Sequence, residues 1–237
     1  MVGEGVLVSP VVKPQTSSIS PYFTAGAWYS TWDYSPLVVE GAAGQAVEMD
    51  VPLGEIAVHY RGGAIVPLQQ YASVTRDVRY SPLTLVVALS SSTAAEDAAA
   101  GVVAPYAAEE FCRSSREQNA DRLVSCGVLF MDDEADVPVV TADNSLQAQF
   151  TAVAAADACT GSISSRVVTN GGDAAAKLRV DAVHVLGVGS GVASAAVRVN
   201  GAGVPASDVE FDAVNGVLKV SGLQLEAGQA FELHWSA

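Results

Sequence analysis

Apolar residues in this chain recur mostly at every second position, in short runs broken by Gly, Pro, Asn and Asp. Ile56, Val58 and Tyr60 alternate with Ala57 and His59, the period of a half-buried strand. Arg61-Gly62-Gly63 interrupts, because two glycines permit backbone angles that other residues avoid. Ala64-Ile65-Val66 resumes and Pro67 closes the run, so 52–69 reads as strand, turn, strand. Val47, Met49 and Val51 against Glu48 and Asp50 predict a strand that pairs with 56–60 across Pro52-Leu53-Gly54-Glu55. Residues 21–30 flank Ala25-Gly26 with apolar and aromatic side chains, as in a hairpin. Residues 5–12 predict a short buried strand broken at Pro10. The continuous apolar run 82–89 suits a central strand buried on both faces.

Past a weak boundary at 138–145, after Val137-Pro138, the texture changes. Strands are predicted at 146–153, 162–169 and 178–186, with a turn at Asn170-Gly171-Gly172-Asp173. Asn200-Gly201 and Asn215-Gly216 stand between alternating segments, the strongest short hairpin signal. The last strand, 231–235, puts Phe231, Leu233 and Trp235 on one face. Short strands with Gly/Asn turns at near-regular spacing indicate an all-β sandwich architecture. Between the halves, 90–126 is first Ser/Ala-rich and then polar, with a short helix predicted near 105–118.

Composition narrows the function classes. With 50% hydrophobic and 16% charged residues, the 237-residue chain can build a real core. A formal net charge of −14 opposes nucleic-acid phosphates and anionic lipid, so neither nucleic acid nor membrane is expected as a partner. No apolar run approaches the ~20 residues that span a bilayer. The N-terminus, Met1-Val2-Gly3-Glu4-Gly5, has no basic region or apolar core of a signal peptide. Cys112, Cys126 and Cys159 form no dense framework and have no zinc spacing. Cys112 and Cys126 can pair across a surface loop, and the odd number favours free thiols.

The strand–turn–strand segment, Pro52-Leu53, Ile56, Val58, Arg61, Gly63, Ile65, Pro67 and Gln69, closely resembles the "pL..i.v..R.G.I.P.Q" segment of glycoside hydrolase family 31, the α-glucosidases, which lies just after their catalytic barrel. Residues 5–12 resemble its "G..LLvaPV", and 22–30 its "YFP.G.WYd" with Thr24 where Pro is usual. Residues 82–89 resemble "pf.LlVAL", and 127–133 "G.LY.DDG" with Glu134 in place of Gly. Residues 183–187, 218–225 and 231–235 look like strands of the family's distal C-terminal domain. Residues 90–126 match nothing in that pattern and read as an insertion looping from a hairpin. The resemblance starts mid-pattern at the first residues, which implies the tail of something longer, with Met1 an internal methionine.

The resemblance implies two consecutive antiparallel β-sandwich domains. The proximal one covers 1–137 with the insertion at about 90–126, and the distal one covers 138–237. It implies a non-catalytic portion that supports a (β/α)8 barrel on the same or a separate polypeptide and is inactive alone. Relatives are often secreted or lumenal, so compartment stays open. The alternative is a stand-alone carbohydrate-binding or protein-interaction module, with an α-glucan or oligosaccharide as ligand. Trp28, Tyr29, Trp32 and Tyr34 offer apolar faces to sugar rings, or else serve as core.

The residues themselves supply little chemistry. Glycoside hydrolysis needs two carboxylates about 5–5.5 Å or about 6.5–9.5 Å apart, and the family's "W.DMNE"-like motif is absent. Adjacent Asp132 and Asp133 at a strand end point to opposite faces. With Glu134 and Asp136 they suggest Ca²⁺, but the sixth loop position from Asp132 is Val137 where an EF-hand needs Gly. Gly187-Val188-Gly189-Ser190-Gly191 has no following helix to cradle phosphate. Arg61 reads as a carbonyl clamp or loop-fixing ion pair, and the isolated His59, His184 and His234 as structural. No catalytic, cofactor-binding or metal-ligating residue is therefore expected, and no cofactor.

Overall fold

The computed structural model describes residues 1–41, 43–132, 140–190 and 196–236. Strands dominate it, arranged as three larger sheets and two small ones. The first sheet orders its antiparallel strands Val6–Ser9, Ala57–Arg61, Gly26–Ser30, Pro36–Val39. The second runs Val209–Asp212, Val217–Val220, Arg179–Leu186, Leu83–Ala88, Ile65–Gln69, with Leu225–Glu226 on the early part of Arg179–Leu186. The third runs Leu123–Asp132, Ser145–Ala154, Gly161–Asn170, Glu232–Ser236, Ala196–Val199, Ala202–Gly203.

The second sheet lies between the other two. Period-two alternation sends Val86, Ala88, Leu186 and Val217 toward Ala27, Tyr29 and Tyr60 of the first sheet. The intervening residues, among them Leu85, Val87, Val183, Val185 and Leu218, pack on Phe150, Ile163, Leu233 and Trp235 of the third. That is why residues 82–89 carry no polar face: Leu83–Ala88 is a strand buried on both sides, as its unbroken apolar run predicts. Leu83–Ala88 pairs parallel with Arg179–Leu186, whereas the other ladders are antiparallel. The second sheet thus draws strands from both sides of residue 137, which itself lies outside the described residues.

Several local expectations are corrected. Met49–Asp50 pairs with Ser18–Ile19, not with the strand after Pro52-Leu53-Gly54-Glu55. The turn forms, with Glu55 N–H donating to the Pro52 carbonyl, but both edges of Ala57–Arg61 are taken by Val6–Ser9 and Gly26–Ser30. Residues 22–30 bend at Gly26 (φ 114°) without forming a hairpin, since Tyr22–Phe23 pairs with Gln45–Ala46 and Gly26–Ser30 with Pro36–Val39. These two small ladders tie segments 10–22 and 41–56 over the outer face of the first sheet. There Phe23, Trp28 and Val39 form a separate core. Ala57–Arg61 is consequently covered on both faces rather than one. Pro67 does not end its strand: Ile65–Gln69 sits at the end of the second sheet, where a residue without N–H is tolerated.

The 90–126 segment contains two helices, Ala94–Ala100 and Glu110–Gln118, and its last residues already belong to Leu123–Asp132. Thr93 and Glu96 form a reciprocal capping box, and Gly101 ends the first helix at φ 68°. Cys112 and Cys126 form a disulfide, buried rather than on a surface loop, and Cys159 is free. Asn170 to Asp173 leads into a short helix, Gly172–Lys177. Among the described residues no helix is long and apolar enough to cross a membrane.

Candidate functional site

Arg61-Gly62-Gly63, the turn at the centre of the sequence pattern, is a junction between all three sheets. Arg61 N–H donates to Gly5, Gly62 N–H to Ala27 and Gly63 N–H to Ala88, while Cys126 N–H donates to the Gly63 carbonyl. A Cβ at Gly62 would lie 2.9 Å from the Leu89 carbonyl oxygen and 3.0 Å from Ala27, so only glycine lets the chains approach this closely. The Arg61 guanidinium sits over the Trp28 ring, 5.9 Å from its centroid, and donates to the Val103 carbonyl of the 90–126 segment. Arg61 therefore clamps a carbonyl. Burial lowers its pKa, opposed by Glu4 and Asp97. Nearby, Asp97 and Arg116 make a 3.5 Å ion pair between buried side chains, and Arg116 also donates to the Val124 carbonyl at 2.9 Å.

The four candidate aromatics separate sharply. Trp28 is core on the outer face of the first sheet, its Nε1 donating to the Thr24 carbonyl at 2.9 Å. Tyr29 is core on the inner face, its hydroxyl donating to the Leu89 carbonyl, and burial raises its pKa. Tyr34 bonds His184 Nδ1 at 3.0 Å. Burial, then Lys219, lowers the His184 pKa. Trp32 alone of the four is exposed, at 63%.

Trp32 borders a cleft of about 510 Å³ whose wall also holds Ser30, Asp33, Glu55, Ile56 and His59. Its Nε1 donates to the Ile56 carbonyl at 3.0 Å and its backbone N–H to Ser30 Oγ at 3.2 Å, which fixes the indole and leaves its face open. Asp33 Oδ1 accepts from the backbone and hydroxyl of Ser35, at 3.1 and 2.8 Å, and these bonds lower the carboxyl pKa. His59 is 8% exposed, packs edge-on to Phe23, and its buried Nδ1 has no hydrogen-bond partner among the described residues. Burial lowers its pKa against an opposing pull from Asp33, so the imidazole is neutral at pH 7. Sequence reading sets this site apart poorly, because the covering of His59 comes from segments 10–22 and 41–56, remote from it in the chain.

The remaining candidates do not converge. Asp132 is ion-paired to Arg79, and Asp133, Glu134 and Asp136 lie outside the described residues. His234 lies beside Glu232 at 3.4 Å, on the opposite end of the chain from His59. Among the described residues no three His, Cys, Asp or Glu side chains are grouped to hold a metal ion.

Comparison with known proteins gives these elements a context. Residues 1–66 match the Glycosyl hydrolase family 31 C-terminal domain. The chain is 31% identical over 98% of its length to an α-glucosidase of Hordeum vulgare, of which it covers 24%. It is 27% identical over 98% of its length to intestinal sucrase-isomaltase of Oryctolagus cuniculus, covering 11% of it. Among solved structures, it superposes on the family 31 dextranase of Flavobacterium johnsoniae with a TM-score of 0.66 at 14% identity, over 100% of this chain and 26% of that one. The ER glucosidase II complex gives a TM-score of 0.65 at 17% identity, over 98% and 22%. The chain spans about a quarter of the length of the first curated relatives it matches. With those motifs on an all-β scaffold, and no barrel among the described residues, the chain belongs to glycoside hydrolase family 31, as its C-terminal β-domain region.

Proposed function

We propose that this region supports an α-glucosidase-like (β/α)8 barrel, packing against it without contributing catalytic groups, in an enzyme that hydrolyses α-glucosidic bonds. We assign residues 1–137 to the proximal and 138–237 to the distal domain, interlocked through the shared second sheet. The observation that carries the reading is the surface of the N-terminal segment. Val2, Val8, Val12 and Tyr22 are exposed, and an open cleft of about 590 Å³ runs among residues 7–22. Exposed apolar side chains around an open cleft of this kind suit a face that another domain covers. The relatives matched are several times longer than this chain, which supports a barrel on the same polypeptide.

The test has two parts. The purified chain should release no glucose from maltose and no phenol from an aryl α-glucoside above the buffer rate; measurable turnover would refute a supporting role. Co-expressed with a family 31 barrel truncated before its own C-terminal domains, it should restore that barrel's solubility, and Val12→Asp should weaken the rescue.

A further inference from the structure

A pair of titratable side chains fastens the first sheet to the second. Residues 31–35 link Gly26–Ser30 to Pro36–Val39, and from this loop Tyr34 reaches across to Arg179–Leu186 of the second sheet. Its hydroxyl bonds His184 Nδ1 at 3.0 Å, and its ring stands edge-on to the imidazole, with centroids 5.7 Å apart. Tyr34 holds φ at 61°, a left-handed backbone that a bulky residue adopts only at a steric cost. The turn is closed by the loop's own bonds, Tyr34 N–H to the Ser30 carbonyl and Ser30 N–H to the Ser35 carbonyl. The ring is held inward by His184 and by Tyr60, 6.4 Å away.

The surroundings decide which protonation state this contact tolerates. From the first sheet the imidazole meets Tyr34, with Tyr60 beside it. Within the second sheet Lys219 stands directly opposite His184, and Glu210 stands opposite Lys219 and bonds it at 3.0 Å. On the other side the paired residue is Val86, which carries no charge. A neutral imidazole accepts the phenol proton at Nδ1 and needs no counter-charge. An imidazolium donates at both nitrogens and cannot accept that proton. It would also lie half-buried, across from a lysine whose carboxylate partner is already engaged, and like charges directly opposite on neighbouring strands repel. Burial and then Lys219 keep the imidazole neutral, against a weaker pull from Glu210. The Tyr34 ring supplies part of that burial, so swinging it out admits water to the imidazole. By linkage, the proton and the seated tyrosine oppose one another.

We propose that Tyr34 and His184 form an acid-released clasp: the tyrosine is seated on the second sheet while the imidazole is neutral and swings to solvent when the imidazole takes a proton, freeing the loop that carries Trp32 and Asp33 along the wall of their cleft. For each pH unit between the imidazole's pKa with the tyrosine seated and with it out, acid raises the released population by up to about tenfold. The clasp needs no barrel, so it stands or falls separately from the supporting role.

The chain has three histidines, so NMR titration of the full chain identifies His184 by the signal lost in His184→Gln. At about pH 7.5, cross-peaks between the Tyr34 and His184 rings should be present. They should vanish as the pH falls to about 5, across the range in which histidine titrates. Their midpoint should match that of the His184 signal, with the circular dichroism unchanged. Tyr34→Ala, which has no ring to seat, should raise the His184 pKa toward the ordinary value of 6.5. In a His59→Gln background, which removes the other imidazole from the cleft wall, the Trp32 indole N–H signal should move with the same midpoint. Three outcomes overturn the proposal. One is a set of Tyr34–His184 cross-peaks that persists through the His184 titration. The second is a His184 pKa unchanged in Tyr34→Ala, folded as judged by circular dichroism. The third is a Trp32 signal that stays fixed while His184 titrates.

Discussion

Replacing Cys112 and Cys126 together by alanine removes the covalent tie between the helix Glu110–Gln118 and the strand Leu123–Asp132. The cysteines are 14 positions apart in sequence. A closed loop of about 15 residues restricts the unfolded chain by about 3 kcal/mol on the chain-entropy account. Both side chains are fully buried, beside Ala94 and Val124, so each truncation also forfeits packing worth about 0.5–1 kcal/mol. Some docking survives, because Arg116 still reaches the Val124 carbonyl and Asp97. The net loss should be about 4 kcal/mol. Urea denaturation followed by tryptophan fluorescence measures it directly, since no tryptophan lies in the altered segment. Limited trypsinolysis should in parallel cut the variant at Arg113 and Arg116 well before the parent. A urea midpoint unmoved from the parent, with equal tryptic resistance, would refute the reasoning and leave the helix held by its polar contacts alone.

Gly127→Ala would put a Cβ 2.1 Å from the Ile65 carbonyl oxygen, where the third sheet crosses the second. It should cost at least about 1–3 kcal/mol by calorimetry, while Gly203→Ala, with nothing within 4 Å, should stay within about 0.5 kcal/mol. Burial lowers the pKa of His59, which faces Asp33, and of His184, which faces Tyr34, Lys219 and Glu210. The unfolded state therefore binds protons that the folded state refuses below the ordinary histidine pKa of 6.5. Stability is full above that value and declines as pH falls through it. Melting temperatures at pH 7 and pH 5 should differ, and His59→Gln with His184→Gln should narrow the difference.

Where turn chemistry and partner choice coincide, the fold was legible. Asn200-Gly201 and Asn215-Gly216 each join strands that pair with each other, with Asn200 at φ 49° and the glycines at φ 82° and 64°. At Gly26 the chain bends, and at Pro52-Leu53-Gly54-Glu55 it turns, yet the flanking strands go to other partners. A turn signal specifies a change of direction and says nothing about which edge is vacant. The Ala94–Ala100 helix is legible in its alanines, which favour helix, and in Thr93, Glu96 and Gly101, which mark its ends, but it lies inside a Ser/Ala-rich stretch whose low complexity reads as a loop. Trp28 and Trp32 share strand parity on paper. The strand ends at Ser30, so the two indoles part, one into the core and one to the cleft. His59 occupies the less apolar face of its alternation, and only the covering segments 10–22 and 41–56 bury it.

The parallel pairing of Leu83–Ala88 with Arg179–Leu186 also sets a timetable for synthesis. The two partners leave the ribosome about a hundred residues apart, an interval of roughly 5–20 s at ordinary elongation rates. Throughout it, a strand that is apolar on both faces waits with one edge unpaired, the kind of template on which neighbouring nascent chains associate. A ribosome that stalls between the two strands should therefore yield aggregate rather than a folded first half. The sharpest demand this chain makes on chaperones falls while the first three strands of its third sheet are being translated.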